Sequence, residues 1–150
     1  MNLMDYVDEK CTAFDQSFEN WEDAVRSAGR LLEDRDYINE KYTQDMVQLV
    51  KECGAYMVVM PGIALAHARP NGNVKKNSIA IVTIPEGVCF GHKDNDPVKA
   101  LFAIAAVNDE EHLGLFQAVA NCLMIPQNPE IIEKAGSYEE LRKELKYEQN

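Results

Sequence analysis

Apolar and polar residues follow two different periods along this chain. From Trp21 to Glu33 the apolar residues recur at every third or fourth position, and Asn20 stands before them as a helix cap. The same spacing runs from about Asn39 to Gly54, a glycine of the kind that often follows the last turn of a helix. The pattern therefore predicts two consecutive helices early in the chain.

Beyond Gly54 the pattern changes to short apolar or β-branched runs bounded by Gly, Pro, Asn or Asp. Runs of this kind are typical of buried strands. The predicted strands are Tyr56–Met60, Ile79–Ile84, Val88–Phe90 and Leu101–Val107, with Cys11–Phe14 as a further candidate nearer the start.

Helical spacing returns in Glu110–Met124, where Asp109 is the predicted cap. Two shorter helices are predicted after it. Asn128 and Pro129 would cap and begin the first of them, and Ser137 opens a capping box for the last. Helices, then strands, then helices predict an α/β fold in which a mixed central sheet is sandwiched by helices.

Composition narrows the class of protein. The 150 residues are 46% apolar and 27% charged, as in ordinary globular proteins, and we expect a single domain over residues 1–150. The net charge of −10 argues against nucleic acid as a partner and favours a basic protein. The four cysteines form no Cys-x-x-Cys pair, which indicates reduced thiols, and no apolar stretch is long enough to span a membrane. These features predict a cytoplasmic protein that does not insert into a membrane.

One segment carries candidate chemistry. Between Pro61 and Pro70 the chain reads Pro-Gly-Ile-Ala-Leu-Ala-His-Ala-Arg-Pro, which places His67 and Arg69 among small residues. Prolines fix φ and remove backbone donors, so we expect a stiff loop with an open imidazole. A neutral imidazole in such a position is a nucleophile, and a buried structural histidine is the alternative interpretation.

A second histidine is predicted to reach the same place. His112 lies in the first turn of the predicted helix after Leu101–Val107, and His67 follows the predicted strand Tyr56–Met60. Strand ends and helix starts meet at one edge of α/β layers, so both imidazoles can share a site. The unpaired N–H groups of a helix start also favour a bound anion. The alternative for His112 is a solvated surface residue.

Several motifs follow one another in a fixed order. They are Gly62–Ala68, Val88–Gly91, Asn95–Val98, Ala105–Val107 and His112–Leu113. In residues and spacing they resemble the enzyme IIA domains of the bacterial phosphoenolpyruvate-dependent sugar phosphotransferase system, of the mannitol/fructose type and nearest its ascorbate branch. The resemblance covers roughly Asn20 to Leu145, although Ala66 replaces the proline that the family carries directly before its phosphorylated histidine.

The resemblance implies a phosphoryl carrier. His67 would accept a phosphoryl group on Nε2 from phosphorylated HPr and pass it to a cysteine of a IIB component, during uptake of a sugar such as ascorbate. The membrane IIC component would be involved only indirectly. His112 would donate a hydrogen bond to the phosphoryl group or orient His67. No metal or organic cofactor is implied.

Three further residues are candidates for stabilising the phosphoryl group. Arg69 either offsets the phosphoryl charge or pairs with a surface carboxylate. Asp96 either accepts a hydrogen bond from His67 or starts a turn. Lys51 stands where relatives of the mannitol/fructose type often carry arginine. The remaining histidine, His92, is predicted to be solvent-exposed and without a catalytic role.

Two other functions fit the same residues. One is a regulatory module of the nitrogen-type IIA kind, in which phosphorylation of His67 controls binding to another protein and no sugar moves. The other is a metal site with His67, His112 and a carboxylate as ligands, although the two histidines lack the close spacing of zinc motifs.

Overall fold

The computed structural model describes residues 1–147, and its chain begins with two short 3₁₀ turns. Within this range the strands are β1 (Thr12–Ala13), β2 (Val58–Met60), β3 (Ile63–His67), β4 (Ser78–Val88) and β5 (Val98–Ala105). The α-helices of the same range are α1 (Trp21–Asp34), α2 (Glu40–Cys53), α3 (Asp109–Leu123), α4 (Asn128–Lys134) and α5 (Tyr138–Glu144). The end of the predicted domain, residues 148–150, lies outside the described residues.

The first two helices form where the sequence predicts them. The Asn20 side chain accepts a hydrogen bond from the backbone N–H of Asp23 at the start of α1, and the Asn39 side chain does the same for Tyr42 in α2. Gly54 then ends α2 with a φ of 61°, a backbone conformation that a glycine adopts without strain.

Two predicted helix caps are wrong by one residue. The side chain that caps α3 is that of Asn108 and not that of Asp109. Asn128 is the first residue of α4 instead of its cap, because its side chain is buried and donates a hydrogen bond to the carbonyl oxygen of Cys122. Ser137 caps α5 as predicted.

The strands form one mixed sheet in the order β1-β4-β5-β3-β2. β3 is parallel to β5, and β1 is parallel to β4, whereas β4 and β5 pair antiparallel, as do β2 and β3. Helices α1 and α2 cover one face of this sheet, and α3, α4 and α5 cover the other. The predicted fold class, a mixed sheet between two layers of helices, is confirmed.

The segment Pro61–Pro70 is not the predicted loop. Pro61 and Gly62 make the turn between β2 and β3, and the small-residue run that follows is strand β3. The strand forms because β2 and β5 pair with it on its two sides, so its backbone polar groups find partners that a loop would not supply. His67 is the last residue of this strand.

The predicted strands Ile79–Ile84 and Val88–Phe90 are one strand in the structure, β4. In the sequence, Pro85, Glu86 and Gly87 are typical of a turn that separates two strands. In the structure they form an irregular stretch, after which β4 rejoins β5 through the pair Val88 and Val98. The other strand predictions differ by smaller shifts, because Tyr56 belongs to a 3₁₀ turn before β2 and β5 ends at Ala105.

Alternation along β3 decides which face of the sheet carries its functional residue. Ala64 and Ala66 belong to the core beneath α1 and α2, whereas Ile63 and Leu65 belong to the core beneath α3. Side chains at every second position of a strand share a face. His67 therefore lies on the face that α3 covers.

Candidate functional site

The structure brings His67 and His112 together. His67 ends β3, and the parallel strand β5 next to it leads through a short turn into α3, which carries His112 in its first turns. The centroids of the two imidazole rings are 5.8 Å apart, and the ring planes meet at 71°. The predicted meeting of a strand end with a helix start is the topology that places them there.

Phe116 completes this cluster, a role that the sequence did not predict. It lies one helical turn after His112, and the two rings stack with centroids 4.6 Å apart. Its ring also meets that of His67 nearly at right angles, with centroids 4.8 Å apart. The i, i+4 spacing from a candidate histidine is the signal that could have found it. Phe116 fixes both imidazoles by packing, which limits the orientations that either ring can adopt.

The hydrogen bond of His67 defines its tautomer. Its Nδ1 lies 2.8 Å from the carbonyl oxygen of Leu65, and a carbonyl oxygen can only accept. Nδ1 therefore carries the proton of the neutral ring. The lone pair is then on Nε2, the nitrogen that can act as a nucleophile.

The pKa values of both imidazoles lie below the ordinary value for histidine. Burial lowers the pKa of His67 from its ordinary 6.5, the hydrogen bond to Leu65 opposes that change, and the nearby charge of His112 lowers the pKa further. Burial also lowers the pKa of His112, and the carboxylate of Asp109 opposes it. A lowered pKa favours the unprotonated nitrogen that nucleophilic attack requires.

The buried hydroxyl of Tyr42 joins the two strand ends around His67. It donates a hydrogen bond to the carbonyl oxygen of Ile104 at 2.7 Å and accepts one from the N–H of Ala68 at 3.1 Å. Ala68 directly follows His67, and Ile104 pairs with His67 across β3 and β5. Helical spacing places Tyr42 on the apolar face of α2 but does not indicate this role, although a buried tyrosine hydroxyl needs polar partners.

A cavity of about 600 Å³ opens at these rings. Its walls combine a few polar side chains with an apolar surround. The lining residues are Tyr56, Met57, Val58, Val59, Leu65, His67, His92, Asn95, His112 and Phe116. His92 is half-buried in this lining, so its predicted position in solvent is wrong.

The predicted phosphoryl-stabilising residues are not in this cavity. Among the described residues, neither Arg69, Lys51 nor Asp96 lines it. Lys51 is exposed and its Nζ lies 3.4 Å from a carboxylate oxygen of Glu22. Arg69 is exposed two residues beyond His67.

The carboxylate of Asp96 binds backbone N–H groups of the preceding turn. One of its two predicted roles was to accept a hydrogen bond from His67. Its carboxylate accepts hydrogen bonds from the N–H groups of Phe90, Gly91 and His92, at 3.0, 2.7 and 2.9 Å. Within residues 1–147 it makes no hydrogen bond to His67. The backbone N–H groups of residues 90–92 therefore engage the carboxylate that the sequence offered either to His67 or to a turn before Pro97.

The start of α3 is not an empty anion site. The Asn108 side chain already accepts from the N–H of Glu111 at 2.8 Å. The first turn also carries the carboxylates of Asp109, Glu110 and Glu111, whose charges oppose a bound anion. Side chains at the cavity, more than the helix start, are thus available to a phosphoryl group.

The alternative metal site lacks a third ligand. Within residues 1–147 no three His, Cys, Asp or Glu side chains come together in an arrangement that could hold a metal ion. Across the same residues, no helix combines the length and apolar character that a membrane crossing requires.

An apolar groove adjoins the cavity. It is lined by Val59, Met60, Leu65, Leu113, Phe116, Gln117, Ala120, Leu123 and Met124. Val59, Leu65 and Phe116 belong to both surfaces. Leu113 and Met124 expose 72% and 78% of their surface, and a contiguous exposed apolar patch of this kind is typical of a binding surface.

Comparison with known proteins fits this geometry. The family model described as "Phosphoenolpyruvate-dependent sugar phosphotransferase system, EIIA 2" matches residues 5–148. The chain belongs to this family. Its EIIA components are phosphotransferases that carry phosphoryl groups between proteins, in the service of sugar transport.

Relatives and solved structures agree with that membership. The chain is 38% identical over 122 residues to the ascorbate-specific PTS system EIIA component of Shigella boydii serotype 4, covering 79% of each protein. It is 30% identical to the mannitol-specific cryptic phosphotransferase enzyme IIA CmtB from Escherichia coli, with a TM-score of 0.84 over 95% of this chain and 96% of that one. The fold also matches enzyme IIA mannitol in its complex with phosphorylated enzyme IIB mannitol from E. coli, at 24% identity and a TM-score of 0.80, over 89% of this chain and 92% of that one.

Proposed function

We propose that this protein carries a phosphoryl group on Nε2 of His67, accepts it from phosphorylated HPr and passes it to a cysteine of a IIB component. One observation carries the proposal. The Nδ1 proton of His67 is engaged by the Leu65 carbonyl, which leaves Nε2 as the lone-pair nitrogen of a ring that lines a cavity with a second histidine.

The transfer step follows from that geometry. Nε2 of His67 attacks phosphorus, the new P–N bond forms, and the P–N bond to the donor histidine breaks with its electron pair going to the donor nitrogen. The Nδ1 proton stays on His67, where the Leu65 carbonyl stabilises the positive charge that the ring gains. In the second transfer a cysteine thiolate attacks phosphorus, and the electron pair returns to Nε2.

His112 supports this step from the side of α3. Its ring meets that of His67 at 5.8 Å, so a neutral His112 can donate one N–H to a phosphoryl oxygen held between them. Phe116 maintains the orientation of both rings by its contacts with each. Arg69, exposed near the strand end, remains a predicted source of positive charge for the docked state.

The apolar groove beside the cavity supports a protein as the exchange partner. A small molecule needs no exposed surface such as Leu113 and Met124 provide, whereas a docking protein covers it and excludes water from the labile phosphoryl group. The EIIA–EIIB complex among the similar structures supports IIB as one such partner. The ascorbate-specific relatives support ascorbate as the sugar.

Intact-mass measurement tests this proposal. The protein is incubated with phosphoenolpyruvate, enzyme I and HPr, and we expect the mass of one phosphoryl group to appear on the parent protein and not on His67→Ala. Addition of an ascorbate-type IIB domain then removes the label. A His67→Ala protein that still gains the phosphoryl mass contradicts the proposal, and a label that no IIB domain removes favours the regulatory alternative.

A further inference from the structure

A third histidine lines the cavity, and the mechanism above does not use it. His92 shares the cavity wall with His67, His112 and the side chain of Asn95. It lies in the turn between β4 and β5, on a different part of the chain from the other two histidines. The hydrogen bonds of His92 define which of its two ring nitrogens carries the proton.

The Nδ1 atom of His92 is an acceptor. The backbone N–H groups of Asp94 and Asn95 both donate to it, at 3.1 and 3.0 Å. Backbone N–H groups can only donate, so Nδ1 cannot itself carry hydrogen. The imidazole proton is therefore on Nε2, which makes that atom a donor with a fixed direction.

The side chain of Asn95 presents a second donor beside it. The amide nitrogen Nδ2 lies 3.4 Å from Nε2 of His92. Two donors at this distance do not hydrogen-bond to each other, and an acceptor that both can reach satisfies them together. A phosphoryl group supplies such acceptors, with three oxygen atoms that carry negative charge.

The turn that holds these donors is fixed in place. Asp96 accepts from three consecutive N–H groups, that of His92 among them. The carbonyl oxygen of Asn95 accepts from the N–H of Gly62 at 3.0 Å, which ties the turn to the start of β3, the strand that carries His67. Donors held in advance stabilise charge without reorganisation cost during the reaction.

We propose that His92 and Asn95 bind the phosphoryl group on His67, with Nε2–H of His92 and Nδ2–H of Asn95 donating to its oxygens. The inference rests on the proposed function, since it concerns the same phosphoryl group. His92 keeps its proton throughout and forms no covalent bond. It contributes the donors that the acid-rich start of α3 does not.

Two substitutions separate the donor role of His92 from its role in the turn. His92→Asn keeps an acceptor atom near the position of Nδ1 for the two backbone N–H groups but removes the Nε2–H donor. Lys93→Ala, at an exposed position of the same turn, is the matched control. Single-turnover phosphorylation by phosphorylated HPr is measured for each. We expect His92→Asn to be slower by about 10²-fold and Lys93→Ala to match the parent.

A second measurement uses the unaltered protein and does not depend on how the variants fold. The ¹⁵N resonance of Nε2 in His92 is followed as His67 becomes phosphorylated, and we expect it to shift, with its proton protected from exchange. A His92→Asn rate equal to that of the parent overturns the proposal. So does a slow His92→Asn protein when Nε2 of the parent shows no response, because the histidine then serves only the turn. Failure of the parent to take up any phosphoryl group overturns the proposed function itself.

Discussion

His67 donates its Nδ1 proton to the carbonyl oxygen of Leu65, two residues earlier on the same strand and 2.8 Å away. Both residues face the same side of β3, so the strand itself fixes the ring of its last residue. We expect NMR of ¹⁵N-labelled protein near neutral pH to show a protonated Nδ1 and an unprotonated Nε2 on His67. The opposite tautomer would remove the assignment of Nε2 as the nucleophile.

Substitution of His112 tests the second imidazole. His112→Ala removes a donor beside the phosphoryl position but leaves the nucleophile, so we expect single-turnover transfer from HPr to slow by about 10²–10³-fold without being abolished. Asn121→Ala, at an exposed and uncharged position further along the same helix, is the control and is expected to keep the parent rate. Equal rates for His112→Ala and the parent would return His112 to a surface role.

The pH dependence of phosphoryl acceptance follows from the lowered pKa of His67. Only the neutral ring attacks, and burial lowers its pKa below 6.5, so acceptance should persist as the pH falls through 6.5 and decline only further into the acid range. An NMR titration of the His67 ring together with single-turnover rates from about pH 5 to about pH 8 measures this. A midpoint at or above 6.5 contradicts it.

The lowered pKa of His67 also makes the stability of the folded protein depend on pH. Below 6.5 the unfolded chain binds a proton at His67 before the folded protein does, so the unfolded state holds more protons in that range. His67 therefore adds no pH dependence to the free energy of unfolding well above pH 6.5. As the pH drops below 6.5, the free energy of unfolding should fall. Urea denaturation measures this for the parent and for His67→Gln. As the pH falls from 6.5 to the lowered pKa of His67, the free energy of unfolding should decrease less in the variant than in the parent.

Tyr42→Phe tests the hydroxyl that joins the strand ends. It leaves the N–H of Ala68 and the carbonyl of Ile104 without their partner, and we expect a loss of about 1–3 kcal/mol in the free energy of unfolding together with slower transfer. Tyr37→Phe is the matched control, because it removes a hydroxyl that donates to Asp8 and lies outside the cavity lining. If Tyr37→Phe slows transfer as much as Tyr42→Phe does, the slower transfer does not depend on the hydroxyl at the strand ends.

Leu113→Glu tests the groove. Leu113 is exposed, so the substitution should change stability by no more than about 0.5 kcal/mol. A charge within an apolar docking surface should weaken association with HPr by about tenfold, seen as a higher KM at unchanged kcat. Tyr147→Glu changes another exposed large apolar residue outside the groove and should leave KM unaltered.

The sequence predicted the parts of this structure that depend on local pattern and on topology. Helical spacing and capping residues located α1 and α2, and the strand-then-helix order brought His67 to His112. It did not predict that the Pro61–Pro70 segment contains a strand, because pairing with β2 and β5 is a long-range effect that prolines in sequence obscure. Nor did it distinguish the two roles of Asp96, since three backbone N–H groups meet its carboxylate only after the turn has closed.

His67 lies at the end of a strand that is paired on both sides, so the sheet holds its imidazole in one position. A carrier exchanges with two proteins in turn, and an acceptor atom on a hinge would have to be aligned anew for each. Here Nε2 keeps one location relative to the groove, so donor and acceptor proteins must present their reacting atoms to the same point in space. On the proposed function, the two exchange partners therefore dock on the same surface around Nε2 of His67, and they compete for the protein instead of binding it together.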